Sequence, residues 1–390
     1  MITEAADGTA NGGTTTCVRA AVAVLLAAAL VALASLHAAH GATEASVVAD
    51  APEALVELGA PDAARTLQVR GSTDVDVFAP VLEAFLANTP GLRVRYEHWP
   101  SNALYRRADA ACRGEAEAAD LLVSSAVDQL VRLVNDGCAA PHVSPLTQRL
   151  ATHLNWRDEL FGITLEPAVI VYNRDLVAPE EVPLTRFDLI DLLRPFDTRF
   201  AGRVATYDIE ASGLGYLFAF ADAQQASTSG ALLEAFGRSG AVATCCSAEI
   251  TDAVAEGEFL IAYNVLGSYA LARADTDPRL GVVAPLDYTL TLARAAMLPR
   301  GAPRPEEARA LLDYLLSDAG RRALADARLI ASLEGDGSLD FPTGTEDSRV
   351  LRPIPLSPVL LVGLDRMKRE RFVAQWRENM SRPDRASRLP

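Results

Sequence analysis

The chain has 390 residues, half of them hydrophobic, and a formal net charge of -15. That length accommodates two lobes or domains, and that hydrophobic fraction favours a sizeable core over a disordered chain. The acidic balance argues against nucleic acid and against an anionic membrane surface as partners, because both require a basic patch.

An apolar run near the N-terminus is typical of an export signal. Arg19 precedes 17 uncharged residues, AAVAVLLAAALVALASL, and small residues follow them. A secretory signal peptide has this order, and the run is slightly short for a membrane-spanning helix, which needs about 20 residues. We therefore expect residues 1-42 to be a signal peptide or an uncleaved anchor and residues 43-65 to be a linker. The remainder is expected on the periplasmic or extracellular side of the membrane.

From residue 66 onward, strand-like segments alternate with helix-like segments that carry apolar residues three and four apart. In order they are TLQVRG, VFAPVLEAFLANTPG, LRVRYEHW, ADLLVSSA and VDQLVRLVNDG. This alternation predicts a parallel, doubly wound sheet, whose ligands bind at the carboxyl ends of the strands.

Polar residues stand where two of these strands end and helices begin. Ser72, Thr73 and Asp74 follow the first strand, and Ser124 and Ser125 end the segment ADLLVSSA. Such residues cap a helix, but a helix start also offers free backbone N–H groups and a positive dipole end to an anion. Both interpretations stay open for each junction taken alone.

Two later junctions have the same character. The segment GRVATYDIEASGLGYLFAF places Ser212 and Gly213 before an apolar helix, and EGEFLIAYNVLGSYALARA places Asn264 after a strand. We expect these residues to face one ligand cleft together with the earlier junctions, because helix starts from two lobes would then meet.

Two long β-rich segments suggest that the chain crosses between lobes twice. They are FGITLEPAVIVYNRDLV, interrupted at Glu166, and DYTLTLARAAMLPRG, which starts at Asp287. The first lobe would begin with residues 66-165, the second would comprise 166-286, and 287-390 would complete the first and carry the C-terminal helices. Glu166 is interpreted either as a ligand contact or as a hinge carboxylate paired with an arginine, and Asp287 as a hinge or binding element.

The cysteines fit an oxidising compartment. Cys17 precedes the apolar run, so no lipoprotein anchor is indicated, and four cysteines follow it. Four cysteines allow three pairings. Cys112 with Cys138 is favoured, closing a loop worth about 3 kcal/mol. The adjacent Cys245 and Cys246 are hard to join to each other without strain, and their pairing stays open.

The nucleotide and hydrolase motifs that would indicate catalysis are missing from the sequence. It has no G-x-x-x-x-G-K-[ST], G-x-G-x-x-G, H-E-x-x-H or G-x-S-x-G. After the signal region the histidines stand without acidic or cysteine partners at metal-ligand spacing. We therefore expect a binding protein rather than an enzyme, with no cofactor and no metal.

The order and spacing of several segments resemble a known family. VRGSTDVDVFAPVLEAFLANTPGLRVRYEHWPSNALY, ADLLVSSAVDQLVRLVNDG, NWRDELFGITLEPAVIVYNRDLV, GEFLIAYNVLGSYALA and YLLSDAGRRALA together resemble periplasmic solute-binding proteins of ABC importers, in the ferric-iron-binding-protein branch. The resemblance covers about residues 66-375. It implies the type-2 fold, which has two α/β lobes joined by two crossing strands, each lobe a doubly wound, mainly parallel sheet. It also implies a membrane permease as partner.

The residues that would bind ferric iron do not match that branch. Iron-binding members carry adjacent tyrosines after an asparagine, where this chain has Val265 and Leu266. Tyr263 and Tyr269 are present at a different spacing. Because ferric iron prefers anionic oxygen ligands, the resemblance favours a small organic anion, with phosphorylated solutes among the candidates, over iron. Candidate neutralising cations are Arg70, Arg106 and Arg203.

The expected site lies between the lobes, which would close on the solute by a hinge at the crossing strands. Its expected members are Ser72, Thr73, Asp74, Ser124, Ser125, Glu166, Ser212, Gly213, Asn264 and Asp287. The alternatives are a ferric-iron-binding protein and a solute sensor that partners a two-component histidine kinase. In each case we expect a monomer that binds no nucleic acid.

Overall fold

The computed structural model describes residues 51–195, 199–225, 228–330 and 350–380. The signal segment expected at residues 1-42 and Cys17 lie outside these residues. Within the described residues, every helix is too short or too polar to cross a lipid bilayer.

Strands and short helices alternate along most of the described chain. The strands are β1 Ala54–Gly59, β2 Arg65–Gly71, β3 Leu92–His98, β4 Leu121–Ser124, β5 Asn155–Trp156, β6 Leu160–Gly162, β7 Glu166–Asn173, β8 Val204–Tyr207, β9 Val242–Thr244, β10 Ile261–Leu266, β11 Leu280–Val283, β12 Thr289–Leu292, β13 Ala295–Met297 and β14 Leu351–Pro353. The α-helices are α1 Val75–Leu86, α2 Ser101–Cys112, α3 Val127–Asn135, α4 Arg186–Leu192, α5 Gly213–Gln225, α6 Ser229–Ser239, α7 Ser247–Ala255, α8 Gly267–Thr276, α9 Pro305–Leu316, α10 Asp318–Asp326, α11 Leu361–Leu364 and α12 Arg366–Met380.

The first sheet forms the first lobe and has the strand order β1-β3-β2-β4-β13-β6-β5. Its centre is parallel, with β2 paired to both β3 and β4, and the outer strands extend it in antiparallel pairs. The linker expected at residues 43-65 is wrong in its described part, because Ala54–Gly59 is the edge strand β1. Pairing with β3 orders this segment, and Leu58 is buried against the core.

The second sheet forms the second lobe and has the order β14-β12-β7-β10-β8-β9, with β11 also paired to β7. The chain leaves the first sheet after β6 and enters the second at Glu166, and it returns between β12 and β13. The two-lobe α/β fold with two crossing segments is therefore confirmed.

The C-terminal part of the chain lies on the second lobe, unlike the grouping of residues 287-390 with the first. β14 pairs in parallel with β12, and Ile354 and Leu356 enter the buried cluster beside the second sheet. Helix α12 packs on α6 at Gly237, where the backbone of Asn379 leaves no room for a Cβ atom. Among the described residues after 287, the segment from β13 through Ile330 returns to the first lobe, because its apolar face packs in the core of that lobe.

Each lobe has a core between its sheet and its helices. In the first lobe, α1 and α9 bury Phe78, Leu82 and Leu312 against β2 and β3. A larger cluster runs from α3 of the first lobe to β7 and α5 of the second, so buried side chains continue between the lobes. The expected Cys112–Cys138 disulfide is present and joins the end of α2 to the residue after the turn that closes α3.

Candidate ligand-binding cleft

A cleft of about 490 Å³ lies between the lobes at the carboxyl ends of several strands. Its volume is within the range of small-molecule sites, about 300 to 1,000 Å³. The residues that line it are Glu53, Ser72, Asp74, His98, Trp99, Pro100, Ser101, Ser125, Tyr207, Ala211, Ser212, Leu214, Cys245, Cys246, Ser247, Ala248, Glu249, Leu266, Tyr269 and Arg294.

Hydroxyl groups from both lobes form the inner part of the cleft. On the first lobe, the Ser72 and Ser125 hydroxyls lie 3.3 Å apart, and the Ser125 N–H donates to Ser72 Oγ at 3.1 Å. On the second, the Tyr207 hydroxyl lies 2.5 Å from Ser247 Oγ and accepts from the N–H of Leu266 at 3.1 Å. Burial raises the pKa of Tyr207 to about 12, so this phenol stays protonated at neutral pH.

Several helices begin at the cleft. Asp74 precedes α1, Ser101 begins α2, Ser212 precedes α5, and Cys246 precedes α7. Neither Asp74 nor Cys246 makes a side-chain cap bond to its helix, so first-turn N–H groups of α1 and α7 lack that internal acceptor. The positive ends of these helix dipoles point toward the cleft and favour a negatively charged group.

Acidic groups lie at the exposed side of the cleft. His98 Nε2 lies 3.2 Å from Asp74 Oδ1, and His98 Nδ1 lies 3.6 Å from a Glu53 oxygen. Glu249, which is exposed, accepts a hydrogen bond from Thr244 Oγ1 at 3.1 Å. Because these charged groups lie at the exposed side, the hydrogen-bond donors in the inner part of the cleft are mainly neutral.

A buried ion pair joins the two crossing segments directly behind the cleft. Arg294 Nε and Nη2 donate to the two carboxylate oxygens of Glu166, each at 3.1 Å. Thr164 Oγ1 and Ser268 Oγ donate to the same carboxylate at 2.7 and 2.5 Å. Burial opposes the charge of Arg294, but with Glu166 beside it the pKa of the guanidinium is raised above its ordinary value, so this side chain stays positively charged.

This ion pair corrects the expected role of Glu166. Of its two interpretations, the hinge carboxylate paired with an arginine is the one that the structure supports. Glu166 is 1% exposed, lies outside the cleft lining, and has both oxygens occupied. It therefore has no acceptor left for a ligand.

Six of the expected site residues lie in the cleft lining or directly behind it. Ser72, Asp74, Ser125 and Ser212 line the cleft. Thr73 and Ser124 are buried just behind it, where Thr73 Oγ1 accepts a hydrogen bond from Arg294 and Ser124 Oγ accepts from the N–H of Ala126. These two side chains organise the junctions without reaching the cleft.

Three further expected residues lie elsewhere. The N–H of Gly213 donates to Ser101 Oγ at 3.0 Å, so it closes the contact between the lobes. Asp287 pairs with Arg186 at 3.1 Å inside the second lobe. Asn264 lines a separate cavity of about 190 Å³ within that lobe. The places of these residues along the chain were visible in the sequence, but the partners that each of them meets depend on tertiary packing.

The expected neutralising cations do not lie in the cleft. Arg70 is buried against Glu97 at 2.9 Å, and Arg203 donates to the backbone oxygen of Glu258 at 2.7 Å. Arg106 is exposed and lies outside the cleft lining. Arg294 is the arginine in this lining, and nothing near it in the sequence distinguished it from the others.

Aromatic and histidine side chains are the main part of the site that sequence reasoning missed. His98 and Trp99 follow β3, and Tyr269 lies in the first turn of α8, where its hydroxyl accepts the N–H of Asp74 at 3.2 Å. The sequence could have indicated His98 and Trp99, because the carboxyl end of a strand in a doubly wound sheet faces the ligand.

Cys245 and Cys246 form a disulfide with each other, a pairing that the sequence left open. The two sulfurs and a Glu249 oxygen lie within 4.8 Å of one another. Among the described residues this is the one group with the right types of side chain for a metal, and its thiols are consumed by the disulfide. Val265 and Leu266, which the resemblance placed where iron-binding members carry tyrosines, are both buried, and Leu266 also lines the cleft.

Comparisons with known proteins give a consistent result. A family model described as bacterial extracellular solute-binding protein matches residues 66–327. The chain is similar to a solved substrate binding protein of an ABC transporter from Agrobacterium tumefaciens. Identity is 32%, the TM-score is 0.76, and the match covers 84% of this chain and 98% of that chain. The comparison with curated proteins gave no match.

More distant structures are similar in fold alone. The periplasmic binding protein AfuA from Actinobacillus pleuropneumoniae, solved with fructose-6-phosphate, has 14% identity and a TM-score of 0.63, over 82% of this chain and 99% of that chain. Iron-bound HitA from Pseudomonas aeruginosa has 17% identity and a TM-score of 0.57, over 80% and 98%.

Proposed function

Because this chain belongs to the family of bacterial extracellular solute-binding proteins and is an ABC-transporter solute-binding protein, we propose that its cleft captures a small organic anion. The predicted resemblance to periplasmic solute-binding proteins of ABC importers is confirmed by the family match and by the structure from Agrobacterium tumefaciens, and the iron-binding neighbours share the fold. The family consists of binding proteins rather than enzymes. Proteins of this class bind a small molecule and a membrane permease.

The observation that carries the proposal is the convergence of helix starts and hydroxyl groups on one cleft. Helices α1 and α2 of the first lobe and α5 and α7 of the second begin there. The Ser72, Ser125 and Ser247 hydroxyls stand among them. Backbone N–H groups, hydroxyls and helix dipoles together stabilise a carboxylate or phosphate without a metal.

The cationic side chains of the lining supply little free charge. Arg294 is fully buried and shared by Glu166 and Thr73, and His98 lies between two carboxylates. The anion is therefore held mainly by neutral donors. That arrangement favours one small anionic group over a multiply charged solute, because the exposed carboxylates would repel further negative charge.

Capture would proceed by closure of the lobes about the two crossings. The chain passes between the sheets once at residues 163–165 and once at 293–294, and the Glu166–Arg294 pair ties these segments together. Few backbone torsions need to change for a hinge of this kind. The closed form would then be presented to the permease outside the cytoplasm by a protein that works as a monomer.

A thermal-shift screen of the chain from residue 43 tests the proposal. The probes are fructose 6-phosphate, 3-phosphoglycerate, citrate, inorganic phosphate, ferric citrate and the cation thiamine. An anion present at 100 times its dissociation constant should stabilise the fold by about 2.7 kcal/mol. A shift with ferric citrate and not with citrate, or with thiamine and not with any anion, would contradict the proposal.

A pair of matched variants localises the binding. Ser125→Ala removes a cleft hydroxyl that is hydrogen-bonded to the Ser72 hydroxyl, so affinity for the anion should fall about tenfold or more, as for a hydrogen bond to a charged group. Ser357→Ala removes a serine outside the cleft that makes no cap bond, and it should leave affinity unchanged. Equal affinities of the two variants would place the anion elsewhere.

A further inference from the structure

The Cys245–Cys246 disulfide is exposed to the interlobe cleft. Both residues are half-buried, and they lie directly before α7, with Cys246 at its N-cap position. The sulfurs therefore stand beside the first-turn N–H groups that would receive an anionic group. The apolar surface of the disulfide therefore lies next to hydrogen-bond donors at the start of α7.

Chain stabilisation does not account for this disulfide. A disulfide stabilises a fold chiefly by restricting the loop that it closes in the unfolded chain, and the effect grows with loop length. Cys112 and Cys138 are 26 residues apart, whereas Cys245 and Cys246 are separated by 1. The adjacent pair closes almost no loop, so its presence calls for another role.

The rest of the apolar lining indicates what that role is. Trp99, Leu214 and Leu266 also line the cleft, each of them buried against the protein on its other side. A bare inorganic anion gains nothing from such surfaces, whereas a carbon skeleton gains about 25 cal/mol for each Å² of apolar area removed from water. The cleft thus combines donors for one charged group with a platform for C–H groups.

We propose that the Cys245–Cys246 disulfide is the contact surface for the carbon skeleton of the solute, and that its reduction weakens binding. This inference rests on the proposed anion-binding function of the same cleft. Reduction by a dithiol breaks the S–S bond, delivers two electrons and two protons to give two cysteine thiols, and leaves the dithiol as a cyclic disulfide. The two freed side chains then rotate independently, and binding must order them again.

Calorimetry with two probes tests this role. Fructose 6-phosphate carries a carbon skeleton and inorganic phosphate does not. In the double variant Cys245→Ser with Cys246→Ser, affinity for fructose 6-phosphate should fall about fivefold, the factor for removing roughly 40 Å² of apolar contact. Affinity for inorganic phosphate should stay unchanged. Equal affinity of the variant and the wild-type chain for fructose 6-phosphate would overturn the proposal.

The matched control is the other disulfide. The double variant Cys112→Ser with Cys138→Ser should melt at a lower temperature and keep its affinity for fructose 6-phosphate, since this pair lies outside the cleft lining. If this control lost affinity as the other variant does, the effect would be a general loss of structure, and the proposal would be overturned.

A ligand-free measurement decides the inference if neither probe binds the wild-type chain, an outcome that counts against the anion proposal. Brief treatment with dithiothreitol and then iodoacetamide should alkylate Cys245 and Cys246. The cleft-filling variant Ser72→Trp should lose this alkylation, and Ala211→Trp, exposed at the same cleft, serves if Ser72→Trp does not fold. Unchanged alkylation in a folded filling variant would overturn the placement of the disulfide as a cleft wall.

Discussion

Replacing Asp128 with asparagine should make the stability of the protein much less dependent on pH. Asp128 lies in the first turn of α3, is 3% exposed, and its Oδ1 has no hydrogen-bond partner among the described residues. It lines a cavity of about 130 Å³ with Tyr216, Arg352 and Gly363. Burial raises the pKa of this carboxyl to about 7, although the positive charge of Arg369 opposes the shift.

The magnitude follows from the difference between the folded and unfolded chains. The pKa of the carboxyl is 3.8 in the unfolded reference and about 7 when folded, and each pKa unit corresponds to about 1.36 kcal/mol. Because the folded pKa is raised, the folded state keeps a proton that the unfolded state loses. Stability therefore falls as pH rises from about 4 to 7, by about 4 kcal/mol in total, and then levels off.

Asparagine has the same shape and no charge, so it removes this loss. Urea unfolding followed by circular dichroism at pH 5 and pH 8 gives the free energy of unfolding of both proteins. The advantage of Asp128→Asn over the wild-type chain should grow by about 3 kcal/mol between these pH values. Any constant effect of the amide cancels in that difference.

A matched variant shows whether burial is the cause. Asp76 also lies in the first turn of its helix, α1, but is exposed. Asp76→Asn should therefore change stability equally at pH 5 and pH 8. If Asp128→Asn also behaved in this way, the carboxyl would be ionised in the folded protein, and the reasoning from burial would be refuted.

Three further predictions concern stability. Glu166→Gln leaves the buried Arg294 without its counter-charge and should lower the free energy of unfolding in urea by about 3 to 5 kcal/mol; a loss below about 1 kcal/mol would mean that the pair is solvated. Joint replacement of Cys112 and Cys138 by serine should lower the free energy of unfolding, measured in the same way, by about 3 to 4 kcal/mol. The unfolded chain then loses the restriction that the disulfide imposes on residues 26 positions apart. Gly237→Ala should destabilise the protein by about 1 to 3 kcal/mol through overpacking against the end of α12, and early proteolysis at α12 would report it. An unchanged melting temperature would show that α12 is not packed there.

The segments nearest in sequence to a helix start were the easiest part of the site to predict. Ser72, Ser125 and Ser212 line the cleft as expected, because a strand that ends before a helix determines locally where its last residues lie. Thr73 and Ser124 follow the same pattern but point away from the cleft. Successive side chains at a junction point to opposite sides, so a shift of one residue in register would exchange the side chains that face the cleft.

Contacts between residues far apart in the chain could not be predicted from the sequence. Residues 54–59 have no strong period of their own, and they become a strand because β3 offers an unpaired edge. Arg294 and Glu166 stand far apart in the chain and meet only because the two crossings lie side by side. The bond between Cys245 and Cys246 likewise depends on the backbone geometry at the start of α7.

The family could be identified from the sequence because the order and spacing of several segments resemble its members. The two-lobe α/β fold, the crossings and the helix starts could be predicted because they depend on periodicity and on local junctions. Which side chains share the cleft, which arginine belongs to its lining, and which disulfide forms part of its wall depend on tertiary packing. Those properties depend on the direction of side chains from segments distant in sequence. Packing of one lobe against the other sets that direction, and no local pattern records it.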